Sequence, residues 1–71
     1  MGGRRVRIYV NGKETLAAGQ MTVAALVAQR GLDQNKVVVE HNLAVVPKEE
    51  WPKLVLADGD KLEIVSFVGG G

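Results

Sequence analysis

The chain has 71 residues, 46% hydrophobic and 24% charged, which is the composition of one soluble globular domain near the lower size limit for independent folding. A formal net charge of +1 argues against a general nucleic-acid surface or a polybasic membrane anchor, since both need a concentrated excess of Lys and Arg. There is no cysteine for a disulfide or a thiolate metal site, and no run approaches the roughly 20 apolar residues of a membrane span. A cytoplasmic location without membrane or nucleic-acid partners is the expectation, and the one basic run, Arg4, Arg5 and Arg7, reads as a solvated strand face.

From Arg4 to Val10 the residues alternate, with Val6, Ile8 and Val10 on one side and Arg5, Arg7 and Tyr9 on the other, the period of a half-buried strand. Asn11-Gly12 follows, the strongest short hairpin signal, because a type I′ turn needs positive φ at both central positions. Lys13 to Leu16 is the predicted return strand, and Ala17-Ala18-Gly19 the loop that ends it.

Thr22 stands where a helix N-cap belongs, and Val23, Leu26, Val27 and Arg30 follow at helical spacing over about two and a half turns. Gly31 is placed to close the helix, with Leu32 folding back on Leu26 or Val27 in a Schellman-type cap. Lys36 to Glu40 holds the β-branched run Val37-Val38-Val39, which predicts a strand that is central or covered on both sides. His41-Asn42 leads to a short strand from Leu43 to Val46, stopped by Pro47. Lys48 to Pro52 suits a turn or one helical turn, with Trp51 either closing the core or anchoring a partner. Leu54 and Leu56 lead to a turn at Asp58-Gly59. The last strand is predicted from Lys61 to Val65, with Leu62 and Ile64 inward and the first strand parallel beside it. The fold class is α+β: a mixed sheet on one main helix.

A search for an internal active site finds little. There is no cysteine nucleophile, and the one histidine, His41, has no evident sequence partner and reads as a turn or surface residue. Asp58-Gly59-Asp60 only faintly imitates a calcium loop, because Leu62 stands where the next oxygen ligand belongs. Glu49-Glu50 are adjacent on a turn and diverge. What remains is the run Phe67-Val68-Gly69-Gly70-Gly71. Three consecutive glycines are expensive to order, so residues 67–71 are expected to form a flexible tail on a domain ordered over about 4–66. The four residues from Val68 to Gly71 can reach about 13–14 Å when extended. At the far end is the α-carboxylate of Gly71, ionised at neutral pH since its reference pKa is about 3.3–3.7. A carboxylate is a poor electrophile; to carry a group it must first be activated, most simply as an acyl-adenylate formed from ATP with Mg²⁺ by another enzyme. Glycines suit entry into such a narrow site, and capture of the acyl group by sulfide or a persulfide would give a thiocarboxylate. A frayed end suits the same residues. Phe67 and Val68 fit either an anchor in a partner groove or the end of the last strand.

Taken together, the Asn11-Gly12 hairpin, Thr22-Val23, Val37-Val38-Val39-Glu40 leading to Asn42 and Val46-Pro47, Glu50-Trp51, Leu56-Ala57-Asp58-Gly59-Asp60 and Val68-Gly69-Gly70-Gly71 resemble the ThiS family, sulfur carriers of thiamin biosynthesis. The resemblance covers nearly the whole chain, and its specificity lies in the order and spacing of the motifs. It implies a ubiquitin-like β-grasp domain over residues 1–71 that is a protein co-substrate and not an enzyme. It further implies that Gly71 is adenylated by a ubiquitin-activating-like (ThiF-like) adenylyltransferase using ATP and Mg²⁺, the carrier binding no cofactor itself. Sulfur from a donor such as a cysteine desulfurase would give the thiocarboxylate, which a ThiG-like thiazole synthase consumes. Gly70 matches the second glycine of the family's terminal pair, whereas Gly69 departs from the minimal ending; both would thread into the partner. The small subunit of molybdopterin synthase is a rival, although it usually has proline shortly before its glycines and Ser66-Phe67-Val68 has none. A β-grasp binding module with an inert tail is the alternative of a different class.

Overall fold

The computed structural model describes residues 4–67. Strands β1 (Arg5–Val10) and β2 (Lys13–Ala18) form the first hairpin, in register from Val10 opposite Lys13 to Arg5 opposite Ala18. At its turn Asn11 has φ 52° and Gly12 has φ 82°, so both central residues are left-handed as a type I′ turn requires. The second strand runs two residues past Leu16 and takes in Ala17 and Ala18, which the sequence assigned to a loop. Alanine's weak preference for strands is overridden by pairing and burial: Ala17 lies opposite Val6 and is buried. Gly19 then passes so close to the first strand that a Cβ there would sit 2.6 Å from the Arg4 carbonyl oxygen.

Helix α1 (Val23–Gln29) is about two turns long, slightly shorter than its apolar spacing suggested. Its first free N–H groups are satisfied from several directions: Leu54 and Trp51 carbonyls accept from Val23 and Ala24, and Thr22 Oγ1 accepts from the Ala25 N–H at 3.1 Å. The C-terminus is the expected Schellman cap, with Gly31 N–H donating to Ala28 and Leu32 N–H to Val27. The face that carries Val23, Leu26 and Val27 is buried.

Beyond a 3₁₀ turn at Gln34–Lys36 come β3 (Val37–His41), β4 (Ala44–Val45), a second 3₁₀ turn at Lys48–Glu50, and β5 (Lys61–Ser66). The sheet order is β2-β1-β5-β3-β4, with β1 and β5 parallel and the other neighbours antiparallel. This mixed sheet on one helix is the α+β, ubiquitin-like β-grasp architecture. β3 does lie inside the sheet, but its valines are not covered on both sides. Val37 and Val39 face the core, while Val38 is 40% exposed on the open face opposite Val65. The predicted strand from Leu43 to Val46 shrinks to two residues because Asn42 and Leu43, at φ 50° and 75°, are spent on a second turn. Trp51 is buried and its Nε1–H donates to the Val46 carbonyl at 2.9 Å, so it closes the core and is not a surface anchor.

Candidate functional site

The residues of the expected site lead out of β5, the middle strand of the five, which is gripped by β1 on one side and β3 on the other. Two asparagines reinforce that grip. Asn11 Oδ1 accepts from the Ile64 N–H at 2.7 Å and its Nδ2 donates to the Ile64 carbonyl at 3.2 Å, so a side-chain amide continues the short parallel ladder where β1 has ended. At the other end Asn42 N–H donates to the Lys61 carbonyl at 2.8 Å, and its Oδ1 accepts from the Lys61 N–H at 2.9 Å. Each hairpin turn is thus clipped to β5 by its own first residue.

Behind the second clip lies the one buried charged side chain among the described residues, Asp60. Its Oδ2 accepts from the Ala57 N–H at 2.8 Å and lies 2.9 Å from His41 Nε2, and its Oδ1 accepts from Asn42 Nδ2 at 3.3 Å. Burial pushes the Asp60 carboxyl up, but the Ala57, His41 and Asn42 hydrogen bonds and the attraction of His41 outweigh it, leaving the carboxyl below its ordinary value. This corrects the expectation for His41, which is partly buried and partnered. The sequence hid the pair because Asp60 reads as a turn residue and lies 19 positions from His41. The cluster stiffens the start of β5. Among the described residues no group of three or more His, Asp or Glu could hold a metal ion, and the Asp58-Gly59-Asp60 segment is a turn with Gly59 at φ 89°.

At the exit of β5, Ser66 pairs with Val37, and Phe67 N–H donates to the Lys36 carbonyl at 2.9 Å. Phe67 is therefore tied to the sheet by its backbone while its ring remains 46% exposed. It borders a shallow hollow of about 280 Å³ shared with Val38, Val45, Pro47 and Lys48. The surface around the exit is apolar: Val38, Val45 and Val65 are all exposed on the open face. The structure thus brings Phe67 to a fixed point on an apolar rim. Val68, Gly69, Gly70 and Gly71, the other expected site residues, lie outside the described residues.

Comparison with known proteins bears on this exit. The model of the ThiS family matches residues 5–71. The chain is 42% identical over 65 residues to the sulfur carrier protein ThiS of Bacillus subtilis, covering 90% of this chain and 98% of that one. It is 47% identical over 66 residues to a thiazole synthase of Paramagnetospirillum magneticum, covering 93% of this chain but only 20% of that protein, so it spans about a fifth of this relative's length. Among solved structures, the thiamine biosynthesis protein ThiS of Geobacter metallireducens superposes with a TM-score of 0.79 at 32% identity, covering 93% of this chain and all of that one.

Proposed function

The chain belongs to the ThiS family of sulfur carriers, and from that premise we propose that the Gly71 α-carboxylate is the group that carries sulfur into thiazole formation. The supporting observation is that the family match runs through Gly71 and continues the strand that leaves the sheet at Phe67. In the proposed sequence a carboxylate oxygen of Gly71 attacks the α-phosphorus of ATP in a ThiF-like adenylyltransferase with Mg²⁺, giving the acyl-adenylate and releasing pyrophosphate. Sulfide supplied by a donor such as a cysteine desulfurase then attacks the acyl carbon and displaces AMP, leaving a thiocarboxylate. The domain supplies positioning: β5 and the Phe67 N–H bond fix where the tail begins, and Gly69 and Gly70 let it enter a narrow channel without side chains in the way. Phe67 and Val68 would anchor the root against the partner.

Thiazole synthase is the proposed acceptor enzyme. A relative of that name contains a stretch similar to 93% of this chain. Joining a carrier and its consumer in one polypeptide raises the effective concentration of one at the other. That observation favours thiazole formation over delivery to a pterin precursor.

The test is to incubate the chain with ATP, Mg²⁺, a sulfide source and its adenylyltransferase, and to locate the modification by fragmentation mass spectrometry. Intact mass is insufficient, because exchange of oxygen for sulfur adds nearly the same mass as oxidation of Met1 or Met21 to the sulfoxide. An ATP-dependent change on Gly71 is expected, and deletion of Gly71 should abolish adenylation while leaving the unfolding midpoint unchanged. An unmodified Gly71 beside a demonstrably active enzyme would overturn the proposal.

A further inference from the structure

The turn at Asn42-Leu43 carries a residue that the fold itself disfavours twice. Leu43 sits at φ 75°, in the left-handed region where a Cβ crowds the backbone and glycine or asparagine is the usual occupant. Its side chain is also 90% exposed, the most exposed of the large hydrophobic residues among those described. No packing within the domain therefore offsets the conformational cost. The first hairpin is an internal control: the equivalent second turn position there is Gly12, at φ 82°. The second turn does not depend on leucine for its shape, since Asn42 is held on Lys61 by backbone and side chain and on Asp60 by its Nδ2. A strained residue persists where its surroundings over-determine it, and such residues concentrate at sites of contact.

The location of Leu43 narrows the contact. β3 runs antiparallel to β5 with His41 opposite Leu62, so the Asn42-Leu43 turn lies beyond the Lys61 end of β5, while Phe67 lies at the other end. The six residues of β5 separate the two by about 20 Å. A partner held at Leu43 leaves the root of the tail clear to move between enzymes. Val45, 62% exposed, and the neighbouring hollow of about 390 Å³ formed with Ala44, Val46, Pro47 and Leu54 give the turn an apolar flank.

We propose that Leu43 is a docking residue that inserts into an apolar pocket on the thiazole synthase, holding the carrier by the end of the sheet opposite its tail. This rests on the carrier reading above. The synthase is favoured as the occupant because the Paramagnetospirillum relative places a similar domain in one chain with a synthase body about four times larger, where a lasting second contact has most to gain from proximity. The adenylyltransferase, which must meet the tail root, is the occupant the position disfavours.

The test uses the full chain with Leu43→Gly and Leu43→Asn, both compatible with the left-handed turn. Three quantities are read: the unfolding midpoint, the rate of adenylation, and the Kd for purified thiazole synthase by titration calorimetry. The expected result is a midpoint equal to or above that of the parent chain, adenylation unchanged, and affinity for the synthase lowered about ten- to a hundredfold, the loss appropriate to removing one buried leucine. Unchanged affinity in both variants overturns the proposal and leaves the carrier reading standing. So does a loss confined to adenylation, which would assign the residue to the other enzyme, and so does a lowered midpoint in both variants, which would make Leu43 part of the core. A parent chain that binds no synthase and is not modified at Gly71 removes both conclusions together.

Discussion

The two hairpin turns of this domain solve one geometric problem with different residues. Each has an asparagine first and a second residue with positive φ, and each asparagine binds β5 through its side chain. One second position is glycine; the other is a leucine almost wholly in solvent. The difference teaches that the turn geometry in this fold is imposed largely from β5 through the asparagine clips. With the clip in place, the second position can depart from the residue that local conformational preference would select.

The most severe way to break that comparison is to remove a clip. Asn11→Ala leaves the Ile64 N–H and C=O, in a residue only 8% exposed, without their partners, and a loss of about 2–3 kcal/mol in denaturant unfolding is expected. Asn42→Ala frees the exposed Lys61 N–H, which water can satisfy, so about 1 kcal/mol is expected there. Equal losses at the two positions would mean that burial of the partner strand does not distinguish the clips.

A smaller effect should come from the carboxylate behind the second clip. Asp60→Asn removes a charged acceptor from the Ala57 N–H and the His41 ring, for an expected loss of about 1–2 kcal/mol near neutral pH. The sign of its pH dependence follows from the lowered Asp60 pKa. The folded state binds that proton less readily than the unfolded chain, so the stability contributed by Asp60 is complete above the unfolded value of about 4 and is lost as pH falls through the lower folded value. The gap between parent and variant should therefore narrow below about pH 4 in acid unfolding curves. A gap that stays constant through that range would show that the carboxylate's charge is not what holds the turn.

These contrasts also show what the sequence made legible. Local chemistry announced the Asn11-Gly12 turn, the Thr22 cap and the Gly31 stop, because each acts over a few adjacent residues. The alternation in β1 and β5 gave the core faces, with Ile8, Val10, Leu62 and Ile64 all buried as expected. The clips were illegible, since the partners of Asn11 lie 53 positions away and a turn residue's type says nothing about where its side chain reaches. Leu43 was read as strand for the same reason: β-propensity favours it there, and only the pull of Asn42 toward Lys61 places it in a turn. Of the expected site, the structure adds the fixed root at Phe67, while the terminal glycines stand on the family match.

The finest test exchanges the second positions. A Cβ at Gly12 would meet nothing within 4 Å, so Gly12→Leu carries a conformational cost without a clash, about 1–2 kcal/mol for a non-glycine residue in the left-handed region. Leu43→Gly removes the same strain, but it also frees the unfolded chain, which offsets about 0.4–1 kcal/mol of the gain. The net stabilisation expected at Leu43 is therefore about 1 kcal/mol, with the exchange of both residues close to neutral, provided that the turns act independently. If Leu43→Gly instead destabilises the domain, leucine is held by contacts within the fold and the two turns differ in packing. If it stabilises as expected while binding of the synthase weakens, the second turn retains its leucine for a partner and not for the fold.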